Sequence, residues 1–112
     1  MQSDKIARLS GMIGLARRAG KTVIGTEQVC IALSKNKNEI KLVLFSHTAS
    51  DATKKKITVK CQFYGVKAIE INIDTEELAR LLGKSFATAA VAVTDSNLAD
   101  AIEQRAIDAN IS

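Results

Sequence analysis

Four consecutive apolar residues, Leu42-Val43-Leu44-Phe45, constrain the fold of this chain more than any other segment. A strand exposed on one face alternates apolar and polar positions, whereas a strand buried on both faces is apolar throughout. The run therefore predicts a strand inside a sheet that is covered on both sides. Three further extended segments accompany it, Thr22 to Ile24, Ala68 to Ile73 and Ala89 to Thr94, with β-branched or small apolar residues prominent in each.

Helical spacing fills the intervals. From Asp4 to Ala19, Ile6, Leu9, Ile13 and Ala16 recur on one helical face; Ser3 is positioned to cap the start and Gly20 to end it. Gly11 and Gly14 within this helix suggest close approach of another backbone, since each costs ~1 kcal/mol relative to alanine. A second helix runs from Thr26 to about Lys35 with Val29, Ala32 and Leu33 inward, followed by a polar loop, Asn36-Lys37-Asn38. Ser50 or Asp51 opens a third helix that runs through Phe63, with Ile57, Cys61 and Tyr64 on one side, and Gly65 stops it. Thr75 to Leu82 is a short helix and Ser96 to Ala109 a closing one. Strands separated by helices imply an α/β fold, a three-layer α/β/α sandwich around a central mixed four-stranded sheet. At 112 residues and 46% hydrophobic, one core and one domain, residues 1–112, are expected.

Sixteen Lys and Arg against twelve Asp and Glu give a net charge of +4, which permits a nucleic-acid partner without requiring one. No apolar run approaches the ~18 residues that span a bilayer and the N-terminus lacks a signal-peptide core, so the expectation is a cytoplasmic protein without a membrane partner. Cys30 and Cys61 fall inside helical segments without paired CxxC spacing, which favours reduced, buried thiols over a zinc site or a disulfide. His47, the single histidine, has no Cys or carboxylate cluster at ligand spacing and reads as a loop residue. No GxSxG, P-loop or dinucleotide-binding glycine pattern is present, nor a close acid and base pairing, so neither catalysis, a metal nor a cofactor is expected.

The segment with most chemical character is Lys21-Thr22-Val23-Ile24-Gly25-Thr26-Glu27-Gln28. It reads as a short strand turning at Gly25 into a helix, which presents unpaired backbone N–H groups and the positive end of the helix dipole. Arg17, Arg18 and Lys21 lie just upstream and are expected to concentrate positive charge at the same corner, so an anionic polymer is the natural partner.

At this point the order of motifs is informative. Gly20-Lys21, Gly25-Thr26-Glu27-Gln28, Lys41 through Phe45, Cys61-Gln62-Phe63-Tyr64-Gly65-Val66, Glu77 through Lys84 and Ala89 through Val93 together resemble the L-seven-Ae family of ribosomal proteins over nearly the whole chain. Gly14-Leu15-Ala16-Arg17-Arg18-Ala19-Gly20-Lys21 is similar to the pattern that ends the opening helix in the bacterial YlxQ-like branch. The resemblance implies an α/β/α sandwich, no catalysis, a cytoplasmic location and recognition of kink-turn RNA. It also implies that the helix after the Gly-Thr turn enters the RNA groove at sheared G·A pairs, while a loop before the last strand covers an extruded nucleotide. Carried over by position, these roles fall on Gly25, Thr26, Glu27, Gln28 and Ile31, and on Lys84, Ser85, Phe86 and Ala87. Gly25 then admits a phosphate, Thr26 and Gln28 face base edges, Phe86 lies against an unstacked base, and Arg17, Lys21 and Lys84 contact phosphates. Glu27 stands where the family carries an amide and Ile31 where it carries a lysine, changes worth ~1–3 kcal/mol of binding if each removes one contact.

Plainer roles compete at several positions. Cations at a helix C-terminus and an acid in a first helical turn complement the dipole whatever the function, which applies to Arg17, Arg18, Lys21 and Glu27. Lys54, Lys55 and Lys56 spread around a helix and read as a solvated face, and Phe86 is equally compatible with a core position. Gly11-Met12-Ile13-Gly14 has apolar middle residues in helical period, unlike a nucleic-acid-binding GXXG loop. Two functional classes therefore stand: a monomeric, non-catalytic binder of structured RNA, ribosomal or regulatory, and a protein-interaction module on the same scaffold whose RNA face has decayed around Glu27 and Ile31.

Overall fold

In a computed structural model, which describes residues 2–110, helices and strands alternate as the sequence requires. Helix α1 spans Gln2–Arg18, strand β1 Thr22–Ile24, helix α2 Thr26–Asn36, strand β2 Leu42–Ser46 and helix α3 Asp51–Tyr64. Strand β3 spans Ala68–Ile71, helix α4 Thr75–Leu81, strand β4 Ala90–Val93 and helix α5 Ser96–Asn110. The strand order is β1-β4-β2-β3, with β4 antiparallel to both of its neighbours and β2 parallel to β3. The sheet is mixed and four-stranded, as expected.

The apolar run in β2 divides its side chains between two cores. Leu42 and Leu44 point with Val91 and Val93 into a cluster formed with α1, α4 and α5, where Leu9, Ile13, Leu78, Ile102 and Ala106 are buried. Val43 and Phe45 point with Ala90 and Ala92 into the opposite cluster, beneath Val29, Cys30 and Leu33 of α2 and Ile57 and Cys61 of α3. Every residue of β2 and β4 is buried, which is the condition that removes polar alternation from both. Two helical layers enclose the sheet, and β1 and β3 form its edges.

Differences from the expected elements have local causes. Helix α1 begins by Gln2, so Ser3 lies within it; the Ser3 side chain is outside the described residues. A β-carbon at Gly11 would meet nothing within 4 Å, and one at Gly14 would meet only the Arg18 guanidinium, so the expected close backbone approach is absent at both positions. The segment 36–38 is not an open loop, because α2 continues to Asn36 and a 3₁₀ turn follows over Lys37–Glu39. Strand β3 stops at Ile71 rather than Ile73 because its partner β2 ends at Ser46, paired with Ile71. Beyond that point the Ile73 carbonyl accepts instead from Ser46 Oγ at 2.7 Å. Helix α3 is capped by Ser50, whose side chain accepts from the Thr53 N–H, and closed by Gly65 in the left-handed region at φ 71°. No helix among the described residues is long and apolar enough to cross a membrane.

Both cysteines are free and buried in the α2–α3 core, and burial, with the neighbouring Cys30, pushes the Cys61 thiol up to about 11. Cys61 should therefore resist Ellman's reagent at pH 8 until the protein unfolds; rapid labelling of native protein would contradict this packing. Because the folded thiol holds its proton above the range of an unfolded one, its contribution to stability is complete below about pH 9 and declines as pH rises toward 11. In the opposite core, Leu44→Ala should cost ~2–5 kcal/mol in urea unfolding, the range for emptying a fully buried leucine.

Candidate functional site

Strand β1 pairs with β4 through Ile24 opposite Val91, and the ladder gains one further rung where the Gly25 N–H donates to the Ala90 carbonyl at 2.9 Å. The chain must then leave the sheet edge at once and enter α2. Gly25 makes that turn at φ +103°, a conformation that disfavours any side chain, while the space where a β-carbon would stand is empty. Its carbonyl accepts from the Val29 N–H at 2.9 Å, which starts the helix.

A glycine at the start of a helix leaves the first-turn donors without a side-chain acceptor. Three other helix starts are treated differently: the Ser50 side chain accepts from the Thr53 N–H, Asp74 Oδ1 from the Glu77 N–H and Asp95 Oδ2 from the Leu98 N–H. At α2 the N–H groups of Thr26, Glu27 and Gln28 have no acceptor among the described residues. They add to the positive end of an 11-residue helix and can receive an anion.

The facing wall is the segment between α4 and β4. Its entrance is fixed by the Lys84 N–H donating to the Ala79 carbonyl at 2.8 Å, and its exit by the Thr88 N–H donating to the Thr75 carbonyl at 3.1 Å. Thr88 Oγ1 also donates to the Phe86 carbonyl at 3.2 Å. Held at both ends, the loop carries Phe86 outward with 70% of its surface exposed, so Phe86 is not the core residue that its composition allowed. Between loop and helix lies a cleft of about 450 Å³, lined by Ile24, Gly25, Thr26, Gln28, Lys84, Phe86, Ala87, Thr88 and Ala89. Segments about sixty residues apart in sequence thus form one depression carrying free N–H donors, a hydroxyl, an amide, a cation and an exposed ring. Chemically it suits a ligand that combines anionic charge with a flat unsaturated group.

Of the eleven residues singled out in the sequence, Gly25, Thr26, Gln28, Lys84, Phe86 and Ala87 line this cleft. Ser85 turns to a neighbouring depression shared with Glu76 and Arg80. Arg17 lies against the adjoining turn, since a β-carbon on Gly83 would fall 2.3 Å from its guanidinium. Lys21 does not share the corner as expected: it sits at the other end of β1, where its carbonyl accepts from the Thr94 N–H, on the order of 13 Å from Gly25 along the strand. Ile31 is 46% exposed and outside the cleft. Glu27 also points out of it, toward α3, where Lys56 Nζ donates to its carboxylate at 2.6 Å. That hydrogen bond and charge, with a smaller pull from Lys60, hold the Glu27 carboxyl below its usual range, while Glu27 holds the Lys56 ammonium above its own.

Ile24, Thr88, Ala89 and Lys56 were missed in the sequence. The antiparallel register continued past Ile24 sets Ala90 opposite Gly25 and brings Ala89 and Thr88 alongside the start of α2, a pairing that becomes visible only once β1 and β4 are aligned. Lys56 had no signal, because 29 residues separate it from Glu27.

Comparison with known proteins places the chain among relatives. The family model described as "Ribosomal protein L7Ae/L30e/S12e/Gadd45 family" matches residues 7–103. The RNA-binding protein YlxQ of Enterococcus faecium is 38% identical over 84 residues, 75% of this chain and 79% of that protein. The RNA-binding protein YlxQ of Bacillus subtilis (strain 168) is 40% identical over 89 residues, 80% of this chain and 85% of its own. Among solved structures, a Bacillus halodurans C protein of unknown function superposes with a TM-score of 0.81 at 28% identity, covering 90% of this chain and 98% of that one. The Giardia lamblia 15.5kD RNA binding protein superposes at 0.73 with 15% identity over 95% and 90% of the two chains, a likeness of fold.

The turn at Gly25 yields a direct test. Gly25→Ala should lower stability by ~1–3 kcal/mol in urea unfolding, through backbone strain alone, because the added methyl meets no neighbour. A variant as stable as the parent would mean that the turn does not need positive φ.

Proposed function

The chain belongs to the ribosomal protein L7Ae/L30e/S12e/Gadd45 family, in its YlxQ-like branch, and from that premise we propose that it is a non-catalytic protein that recognises a kink-turn-like element in structured RNA. The observation that carries the reading is the cleft itself, where a helix start with free N–H groups faces an exposed aromatic loop. In this reading a backbone phosphate approaches the empty side of Gly25, and Thr26 and Gln28 hydrogen-bond to base edges. Phe86 stacks on a base turned out of the helix, with Ser85 and Ala87 completing the cover. Lys84 and Arg17 contact phosphates, and Lys21 reaches one only where RNA runs on along the β1 edge. Such a binder works as a monomer in the cytoplasm and needs no metal or cofactor.

The protein-interaction alternative has one observation in its favour: Ile31 on α2 and Val59 and Phe63 on α3 are all exposed. It lacks any use for the cleft, and the family relationship weighs toward RNA.

Titration of a kink-turn RNA at two salt concentrations, repeated with its tandem G·A pairs replaced, tests the reading. Tighter binding of the intact RNA is expected, and equal affinity for both would remove the kink-turn assignment. Gln28→Ala should cost ~1–3 kcal/mol on the intact RNA and little on the altered one, whereas Lys84→Ala should weaken both and lower the salt dependence by about one phosphate contact.

A further inference from the structure

An acid beside an RNA-binding helix start is an electrostatic problem, because a carboxylate repels phosphates and can only accept hydrogen bonds. Glu27 occupies that position, flanked by the cleft residues Thr26 and Gln28. The problem is answered from α3: Lys56 Nζ stands 2.6 Å from Glu27 Oε1, and Lys60, one turn further on, also acts on the same carboxylate. The two lysines differ in this from their neighbours. Lys54 is engaged with Glu70 at 3.1 Å, and Lys55 points about 100° away from Lys56 around the helix. Lys60 has no carboxylate within ion-pair distance among the described residues.

We propose that Lys56 and Lys60 extend the RNA-binding face from α2 onto α3, and that Glu27 holds Lys56 as an internal substitute for a phosphate until RNA displaces it. This rests on the RNA-binding reading above, though not on its kink-turn specificity. Both ends of the Glu27–Lys56 pair are solvent-exposed, with 74% and 43% of their side-chain surfaces accessible, so exchange of the carboxylate for a phosphate has little to overcome. A backbone phosphate offers two charged oxygens and one negative charge, as the carboxylate does, and its binding also releases counterions, which favours the exchange at low salt. Glu27 then acts as an affinity-setting residue: it keeps Lys56 extended toward α2 and makes RNA compete for it.

A pair serving only to tie α2 to α3 predicts something different, and the sign of two substitutions separates the two roles. Affinity for the RNA is measured across a salt series for Glu27→Gln, Lys56→Ala, Lys60→Ala and, as control, Lys55→Ala, with thermal melts to verify that each is folded. Competition predicts that Glu27→Gln tightens binding about fivefold while Lys56→Ala weakens it by a similar factor. Lys56→Ala and Lys60→Ala should each reduce the slope of log affinity against log salt by about 0.7–0.9, and Lys55→Ala should match the parent. If Glu27→Gln and Lys56→Ala shift affinity in the same direction, or neither shifts it, the pair is structural and the proposal fails. RNA binding by the parent without preference for the kink-turn would defeat the kink-turn assignment alone, because the same salt series runs on any RNA that binds. No RNA binding by the parent would overturn both.

Discussion

One backbone hydrogen bond, from the Gly25 N–H to the Ala90 carbonyl, decides where everything else in the cleft can be. It carries the β1–β4 ladder one residue beyond the last strand position and thereby fixes the start of α2 against the end of the segment that enters β4. Strand β4 is buried on both faces and paired on both edges, so it is an anchor with little freedom to move. The free donors of α2 and the Phe86 loop are therefore held by the same rigid strand. Both walls of the cleft are thus anchored to one strand before any ligand arrives, and preorganisation of that kind lowers the ordering entropy that binding must overcome.

Leaving α2 without a side-chain cap has a cost. A capping Ser or Asp adds about 1 kcal/mol relative to alanine, and the chain uses such residues at three other helix starts. Glycine gives up less than alanine would, and it alone reaches φ +103° without strain, so the sharp exit from the sheet edge and the missing cap come from one residue choice. The loss is offset beneath the helix, where Val29, Cys30 and Leu33 are buried against Ala90, Ala92 and Phe45. Small alanines on that face of β4 let α2 lie close over the strand that the loop enters at Ala90.

The layers were legible because burial on both faces leaves an unambiguous pattern, as in Leu42 through Phe45, and helix stops at Gly20 and Gly65 are conformational requirements written in one residue. Strand ends were less legible. Ile73 is as apolar as Ile71, and only the length of the partner strand separates the paired residue from the unpaired one. Within the site, Gly25, Thr26, Gln28 and the loop were readable because local chemistry and family resemblance pointed to the same residues. Position in space was not: Lys21 is close to Gly25 in sequence, yet an extended strand carries it away, whereas Lys84 is distant in sequence and lines the same cleft.

Charge on this molecule is best understood through its pairings. Lys54 with Glu70, Lys67 with Glu103, Arg80 with Glu77 and Lys56 with Glu27 use four of the cations, all at partly or fully exposed positions where an ion pair adds little to stability. What such pairs do set is which cations stand free. Lys84 borders the cleft and Arg17 the adjoining Gly83 turn, both without a carboxylate partner among the described residues, whereas Arg80 is neutralised one turn before Lys84. A net charge of +4 is modest for a nucleic-acid binder, but a field at a surface depends on unpaired charge nearby and decays over roughly 10 Å at 0.1 M salt. Local pairing, more than total charge, therefore decides the field beside the helix start and its loop, where Lys84 stands unpaired and Glu27 is matched by Lys56.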